Sequence, residues 1–331
     1  MRVYTKLFPV TTSAHALFSA WQEFRKGKDA RRDVMRFDFA LEQNLLDLQR
    51  DLSEKTYRHG SYTSFFITDP KQRHIHKATV RDRIVHHVVF RVLNPLFERS
   101  FIYDSYSCRQ NKGTHRGIYR LEQMIRKVSK NNHTPCYVLK CDIKKFFASV
   151  DHAILLTLLE KRISDPDTLW LLKEIIGSFS PGLPIGNLTS QLFANVYLNE
   201  FDQFIKHVVK VPHYIRYTDD FVVVSSSLPD LKRILRAAAE FLSRHLSLEL
   251  HPYKVSIRKL PQGIDFLGYV QFPHHRVLRT KTKRRILKKV KTGMTESALQ
   301  SYRGVLSHAS MFEFEQELLN QFMFHDNAAE K

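Results

Sequence analysis

A mixed α+β or α/β packing is predicted for this 331-residue chain, on three observations. Short runs that alternate with period two, such as CYVLKCD (136–142) and the pair YIRY and FVVVS, read as strands. Longer segments repeat apolar residues at three- and four-residue steps and read as helices. The two kinds interleave through the middle of the chain, and no internal repeat suggests a solenoid.

The elements follow in order. MRVYTKLFPVTTSAHALFSA loosely imitates a secretion signal, but Pro9, the Thr/Ser cluster and His15 interrupt its apolar stretch, so it reads as the entry to a helix. FDFALEQNLLDLQRDLSEK places Phe39, Leu41, Leu45, Leu46 and Leu48 near helical spacing. DRIVHHVVFRVLNPLFE repeats that pattern, and Pro95 should end or kink it. Between them, SYTSFFITDPKQRHIHKATVRDR reads as a short basic hairpin leading into a helix start. The strand at 136–142 delivers Asp142 at its end. Helices are expected from Asp151 to about Ile163 and around LWLLKEIIGSF. The loop SPGLPIGN then opens a helix carrying Phe193, Tyr197, Phe201 and Phe204 on its apolar steps. A hairpin with Asp219 and Asp220, a helix over LKRILRAAAEFLSRHL and a strand near IDFLGYVQF complete the middle. From Arg276 to Lys291 there are nine basic residues and no acidic one, with Ile286, Leu287 and Val290 on one stripe. A small helical module with an apolar and a cationic face fits.

Composition narrows the function. Fifty-two lysines and arginines stand against 33 acidic residues, a formal charge of +19, which points to a polyanionic partner. A hydrophobic content of 43% with 24 phenylalanines excludes a disordered basic tail. Cys108, Cys136 and Cys141 are too few and too unevenly spaced for a disulfide framework or a Cys-rich zinc site. They are expected reduced and buried, which suits a cytoplasmic protein. No run of about 18 apolar residues occurs, so no membrane span is expected.

Asp219 and Asp220 stand side by side between two apolar strands. Acidic residues are common in turns, where they accept backbone N–H bonds. Here the flanks leave only Thr-Asp-Asp to make the turn, and successive strand side chains point to opposite faces, so both acids would not simply face solvent. If the strand ending at Asp142 pairs with this hairpin, two or three carboxylates converge at one sheet edge. Such a cluster is strongly destabilising without cations. Oxygen ligands suit Mg²⁺, and two ions about 3.5–4 Å apart would form a centre for in-line displacement at phosphorus.

With these features on the page, the chain resembles reverse transcriptases. The motifs RHIHKATVRDRIVHH, SYSCRQNKGTH, CDIKKFFASVD, GLPIGNLTSQLFANVYLNEFD, YTDD and DFLGY follow in the family's order. The resemblance implies an α+β right-hand polymerase. An N-terminal extension and fingers would occupy 1–135, a palm of antiparallel sheet and helices 136–272, and a basic helical thumb 273–331. It implies that Asp142, Asp219 and Asp220, with the Ile143 backbone carbonyl, hold two Mg²⁺ ions, for which Mn²⁺ could substitute. Phe147 resembles the steric gate that selects dNTPs. Ile185, Gly186, Ser190 and Gln191 line the nucleotide site, and Lys71, Arg73, Arg81 and Arg109 are expected at the triphosphate, where arginine's forked donors suit phosphate. Lys254 matches the lysine that protonates departing pyrophosphate. Phe266, Leu267 and Gly268 resemble the primer grip, and Lys281, Lys283, Arg284, Arg285 and Lys288 are expected on nucleic-acid phosphates.

Many reverse transcriptases have glutamine where Ile185 stands and proline where Gln191 stands. The I-G-x-x-x-S-Q form resembles enzymes of diversity-generating retroelements, encoded by bacteria or phages. These copy a template-repeat RNA into cDNA, misincorporate opposite template adenines, and work with a small basic helical-bundle accessory protein. A phage-defence or group II-like reverse transcriptase and a catalytically inactive nucleic-acid-binding protein stay open as alternatives. Two shorter patterns carry less: KGTHRG lacks the P-loop lysine and hydroxyl, and His74/His76 and His86/His87 lack the spacing of a zinc-protease helix.

Overall fold

The computed structural model of the chain describes residues 3–69 and 71–329, with side chains as far as 322. The first two and last two residues of the expected segments 1–135 and 273–331 therefore lie outside the described residues.

The chain opens with α1 (Phe8–Thr12), α2 (Ala14–Arg25), α3 (Arg32–Phe39) and α4 (Leu41–Ser53). The single helix expected over FDFALEQNLLDLQRDLSEK is broken at Ala40, whose φ −122° and ψ 44° leave the helical region. The break rotates the apolar stripe. Phe39 is 94% exposed and Leu46 57%, while Val34, Phe37, Leu48 and Leu52 enter the core.

A two-stranded hairpin follows, β1 (Thr63–Ile67) and β2 (Arg73–Lys77), and then α5 (Val80–Glu98). Thr79 caps α5 by accepting from the Asp82 N–H. The buried Asp82 carboxylate in turn accepts from Tyr57 Oη (2.8 Å), Thr79 Oγ1 (2.6 Å) and the Gly60 N–H (3.1 Å). Pro95 does not end α5, which continues to Glu98. Next come α6 (Thr114–Val128), β3 (Tyr137–Asp142), α7 (Phe146–Ser149), α8 (His152–Glu160), α9 (Pro166–Gly177) and α10 (Leu188–Gln203). They lead to the hairpin β4 (Tyr214–Tyr217) and β5 (Asp220–Ser225), then α11 (Leu228–Leu246) and β6 (Ser256–Lys259). IDFLGYVQF forms not one strand but two, β7 (Ile264–Phe266) and β8 (Tyr269–Gln271). β9 (Arg276–Leu278), α12 (Thr280–Lys291), α13 (Glu296–Leu306) and α14 (Phe312–Ala329) close the chain.

The central sheet has the order β4-β5-β3-β6, all antiparallel. Alternation along β3 and β5 gives it two faces. Leu139, Cys141, Phe221 and Val223 join Tyr197, Phe201 and Leu242 of α10 and α11 in the main core. Val138, Val222 and Val224 face the other way, against Leu121, Met124 and Ile125 of α6 and Ile264 and Phe266 of β7. The third sheet, β7-β8-β9, straddles residue 272 and packs Tyr269 and Leu278 on Ile286, Val290, Leu299 and Leu318 of the C-terminal helices. The expected apolar stripe of α12 is therefore its buried side.

All three cysteines are free. Burial pushes the Cys136 thiol up to about 11 and Cys141 to about 12. Cys108 departs from expectation, being exposed. No helix among the described residues is long and apolar enough to cross a membrane.

Candidate active site

The β3–β5 register places Asp142 directly opposite Asp220, and the Ile143 N–H donates to the Asp219 carbonyl at 3.3 Å. The three carboxylates expected to converge do meet at one sheet end. Cross-strand partners share a face, so Asp142 and Asp220 stand on the face that carries Val138, Lys140 and Val222. Burial, then Asp220 and Asp142, pushes Asp219 up to about 6. Burial also raises Asp220, opposed by Lys140 and reinforced by Asp142. Lys254 Nζ donates to Asp142 Oδ1 at 2.9 Å.

The turn between β4 and β5 is strained and clamped. Thr218 has φ +53°, costly for a β-branched residue. Arg216 Nη1 donates to the Thr218 carbonyl at 2.9 Å, and Thr218 Oγ1 donates to Ser107 Oγ at 2.7 Å. Arg216 is itself fixed by a buried bidentate pair with Asp202 of α10, Nε to Oδ1 2.7 Å and Nη2 to Oδ2 2.6 Å. Nothing in the sequence reading singled out Arg216 or Asp202. The available signal was an arginine at an inward strand position between Tyr214 and the acidic pair.

Phe147 sits half-buried in the segment after Asp142, and the loop before α10 is bound to it. The Leu183 N–H donates to the Phe147 carbonyl at 2.7 Å, and His152 Nε2 bonds the Gly182 carbonyl at 2.7 Å. Gly182 has φ +73°, and a Cβ there would lie 2.2 Å from the Phe147 carbonyl oxygen and 2.7 Å from Ala148 Cα. Both obstacles are backbone. Gly182→Ala is therefore expected to destabilise the protein by about 3 kcal/mol, from the left-handed conformation and the overlap together. A urea melt checks it; a variant as stable as the parent would contradict this packing.

At its other end the same loop joins the β1–β2 hairpin. The His76 N–H donates to the Ile185 carbonyl at 2.9 Å, and Asn187 Nδ2 donates to the His76 carbonyl at 3.3 Å. Gly186, with φ +117°, brings its backbone against Ile75 Cγ2, where a Cβ would lie at 2.9 Å. Ile185 is half-buried, Ser190 is buried and Gln191 half-buried in the first turn of α10. The hairpin, the loop before α10 and the Phe147 segment thus form one stapled unit.

The four cations expected at a triphosphate separate into two pairs. Arg73 lies on the hairpin face of Ile75, towards Gly186, and among the described residues neither it nor Lys71 makes an ion pair. Arg81 is held by Asp51 at 2.6 Å and lies over the Tyr57 ring. The expectation fails for Arg109, whose side chain is 6% exposed. Its Nε and Nη2 engage Glu98 and its Nη1 engages the Ile102 and Ser105 carbonyls, so no donor edge is left for phosphate.

Phe266 is buried on the sheet face that carries Asp142 and Asp220, which brings the β7–β8 turn beside the carboxylates. Leu267 and Gly268 both have positive φ, +50° and +94°, the signature of a type I′ hairpin turn. Below it, a cavity of about 360 Å³ is lined by Lys140, Lys254, Arg258, Asp265 and Arg279. On α12, Lys281, Arg284 and Lys288 are exposed and Lys283 half-buried, while Arg285 pairs with Asp69 at the hairpin tip (3.3 Å), as does Lys289 (2.6 Å).

Among the described residues no three His, Cys, Asp or Glu side chains form a preformed metal cage. A hard divalent ion does not need one: Mg²⁺ binds through one or two carboxylates completed by water and substrate phosphates. Asp142, Asp219 and Asp220 fit that donor set. Their mutual repulsion, with the Lys254 ammonium on Asp142, marks a site that favours positive charge.

Comparison with known proteins agrees with the geometry. The family of reverse transcriptases (RNA-dependent DNA polymerase) matches residues 68–271. Protein YkfC of Escherichia coli (strain K12) is 26% identical over 261 residues, covering 66% of this chain and 66% of that protein. The group II intron-encoded protein LtrA of Lactococcus lactis subsp. cremoris is 21% identical, covering 81% of this chain and 56% of its own length. The chain thus spans between 56% and 66% of the length of these two relatives. Among solved structures, telomerase from Candida albicans in complex with a TWJ fragment of telomeric RNA superimposes with a TM-score of 0.53 at 11% identity, covering 83% of this chain and 57% of that one. That likeness gives the fold: a right-hand polymerase with fingers, an antiparallel palm and a helical thumb. With the family matched across the sheet that carries Asp142, Asp219 and Asp220, the chain belongs to the reverse transcriptases.

Proposed function

We propose that the chain is an RNA-directed DNA polymerase that extends a primer on an RNA template by two-metal-ion nucleotidyl transfer. The observation that carries this is the register of Asp142 against Asp220, with Asp219 in the clamped turn beside them. Fingers occupy residues up to 135, the palm 136–272 and the thumb 273–331. Asp142, Asp219 and Asp220, with the Ile143 carbonyl, hold Mg²⁺ or Mn²⁺. Such ions would supply activation of the primer 3′-hydroxyl and offset charge on the leaving oxygens. The hydroxyl oxygen gives up its proton to water and forms the new bond to the α-phosphorus while the bond to pyrophosphate breaks, and Lys254 Nζ delivers a proton to that leaving group. Phe147 lies beneath the sugar and excludes a 2′-hydroxyl. Arg73 and Lys71 hold the triphosphate, the β7–β8 turn holds the primer end, and the free cations of α12 grip heteroduplex phosphates without reading sequence.

The finer reading is the enzyme of a diversity-generating retroelement, error-prone at template adenines and working with a template-repeat RNA and a basic helical-bundle accessory protein. Ile185 and Gln191 support it. Glutamine can hydrogen-bond near the nucleotide sugar, whereas isoleucine offers only shape and tolerates a displaced pair. A group II-like enzyme is the second reading, favoured by the similarity to LtrA over 81% of the chain. Sequencing cDNA made on a defined RNA template, with and without the accessory protein, separates them. Errors at template adenines that fall in Ile185→Gln support the first. Uniformly faithful copying favours the second, and no extension with Mg²⁺ and dNTPs would remove both.

A further inference from the structure

The β1–β2 hairpin carries an exposed aromatic surface that the proposed chemistry does not use. The two strands pair from Thr63 opposite Lys77 to Ile67 opposite Arg73, so the hairpin has two faces. Phe65, Ile67, Arg73 and Ile75 share the face turned to Gly186. Ser64, Phe66, His74 and His76 share the other.

On that second face Phe66 is 60% exposed, although burying such a ring would favour folding by roughly 2 kcal/mol. Its ring lies parallel to that of His74, with centroids 4.4 Å apart and planes within 10°. Tilted and edge-to-face ring contacts continue inwards and support it: His76 is 4.3 Å from His74, Phe179 is 4.6 Å from His76, and Tyr62 is 5.6 Å from Phe179. The inner end is anchored, because Tyr62 Oη bonds Ser178 Oγ at 2.9 Å and Ser178 Oγ donates to the Ile175 carbonyl at 2.6 Å. The outer end is open.

An exposed flat aromatic surface is what an unpaired nucleobase stacks on. Bases within a duplex have both faces covered by their neighbours. In templated synthesis the unpaired bases are those of the template ahead of the active site. The platform is one strand's thickness from the loop before α10, since the His76 ring packs against His74 on this face and its N–H donates to the Ile185 carbonyl.

We propose that Phe66 and His74 form a stacking platform for unpaired bases of the template strand ahead of the nucleotide site. This rests on the reading as an RNA-templated polymerase. The exposed ring supplies sequence-independent affinity.

The test measures binding of the full chain to primer–template duplexes that are blunt, that carry several unpaired template nucleotides, or that carry the same overhang with abasic sites. The overhang should tighten binding to the parent protein by roughly 5- to 150-fold. Phe66→Ala should lose most of that gain and leave blunt-duplex affinity unchanged, while Phe66→Tyr keeps it. The abasic overhang should reduce the parent to the level of Phe66→Ala and leave the variant unaffected. A Phe66→Ala protein that retains the overhang gain would overturn the proposal, as would an abasic overhang bound as tightly as the natural one, or equal losses on blunt and overhanging duplexes. Failure of the parent to extend any primer would instead remove the polymerase reading, and so is distinguishable.

Discussion

Asp219→Asn should abolish primer extension, by at least about a thousandfold, and at the same time make the protein more stable. Both effects come from one cause. Burial, with Asp220 and Asp142 close by, lifts the Asp219 carboxyl to about 6, about two units above its value in an unfolded chain. Its ionised form is thus held at a cost of about 2–3 kcal/mol near neutral pH. Because the folded-state value is raised, its contribution to stability is fully present below about pH 4 and is lost as pH rises through about 6. Asparagine removes the charge and the cost together, and removes a carboxylate that attracts a divalent ion. His86 runs the other way. Burial holds it down at about 3, so its contribution is present above the ordinary histidine value near 6.5 and is lost as pH falls towards 3. In the parent the two slopes partly cancel between pH 4 and 6. Asp219→Asn should therefore melt higher than the parent at pH 7.5 yet lose stability more steeply on acidification. Added Mg²⁺ should raise the parent's melting temperature and leave the variant's nearly unchanged. An active variant, or one less stable at pH 7.5, would refute this account of the site.

That buried like charges are costly to a fold helps explain which parts were legible in the sequence. Asp142 was readable because it ends a strand with clean period-two alternation, and the 219–220 pair because two apolar strands left no other residues for the turn. Phe193, Tyr197 and Phe201 were readable because α10 is buried on the spacing a helix imposes. Other features depend on partners far along the chain. Gly182 looks like any turn glycine until the Phe147 carbonyl is found against it. Arg109 and Arg73 are the same residue type in basic motifs, but Glu98 at the end of α5 and the Ile102 and Ser105 carbonyls commit the first, while the second has no ion pair among the described residues. The break at Ala40 was hidden because alanine has the highest helix propensity and gives no stop signal. Motif order supplied Lys254 by resemblance, and geometry then set its ammonium on Asp142.

Arg216→Met should destabilise the protein by about 3–5 kcal/mol, because it leaves the Asp202 carboxylate buried with Tyr214 Oη as its remaining close donor. The arginine side chain is 1% exposed and the aspartate 0%, so water cannot replace what is lost. Stability alone would make Arg216 one more core residue. Its third attachment, Nη1 to the Thr218 carbonyl, gives it a second role, since a β-branched residue at φ +53° persists only where its surroundings hold it. The two roles separate in the double variant Arg216→Met/Asp202→Leu. Removing both charges should restore much of the stability, as replacement of buried ion pairs by apolar groups often does. It cannot restore the donor to Thr218. The turn that carries Asp219 and Asp220 should then relax, and displacement of a reacting centre by about 1 Å can cost about a hundredfold in rate. Urea melts and single-turnover extension on the same samples read the two quantities independently. Recovery of stability without recovery of rate would identify Arg216 as the residue that positions the catalytic turn; parallel recovery would reduce it to a packing element.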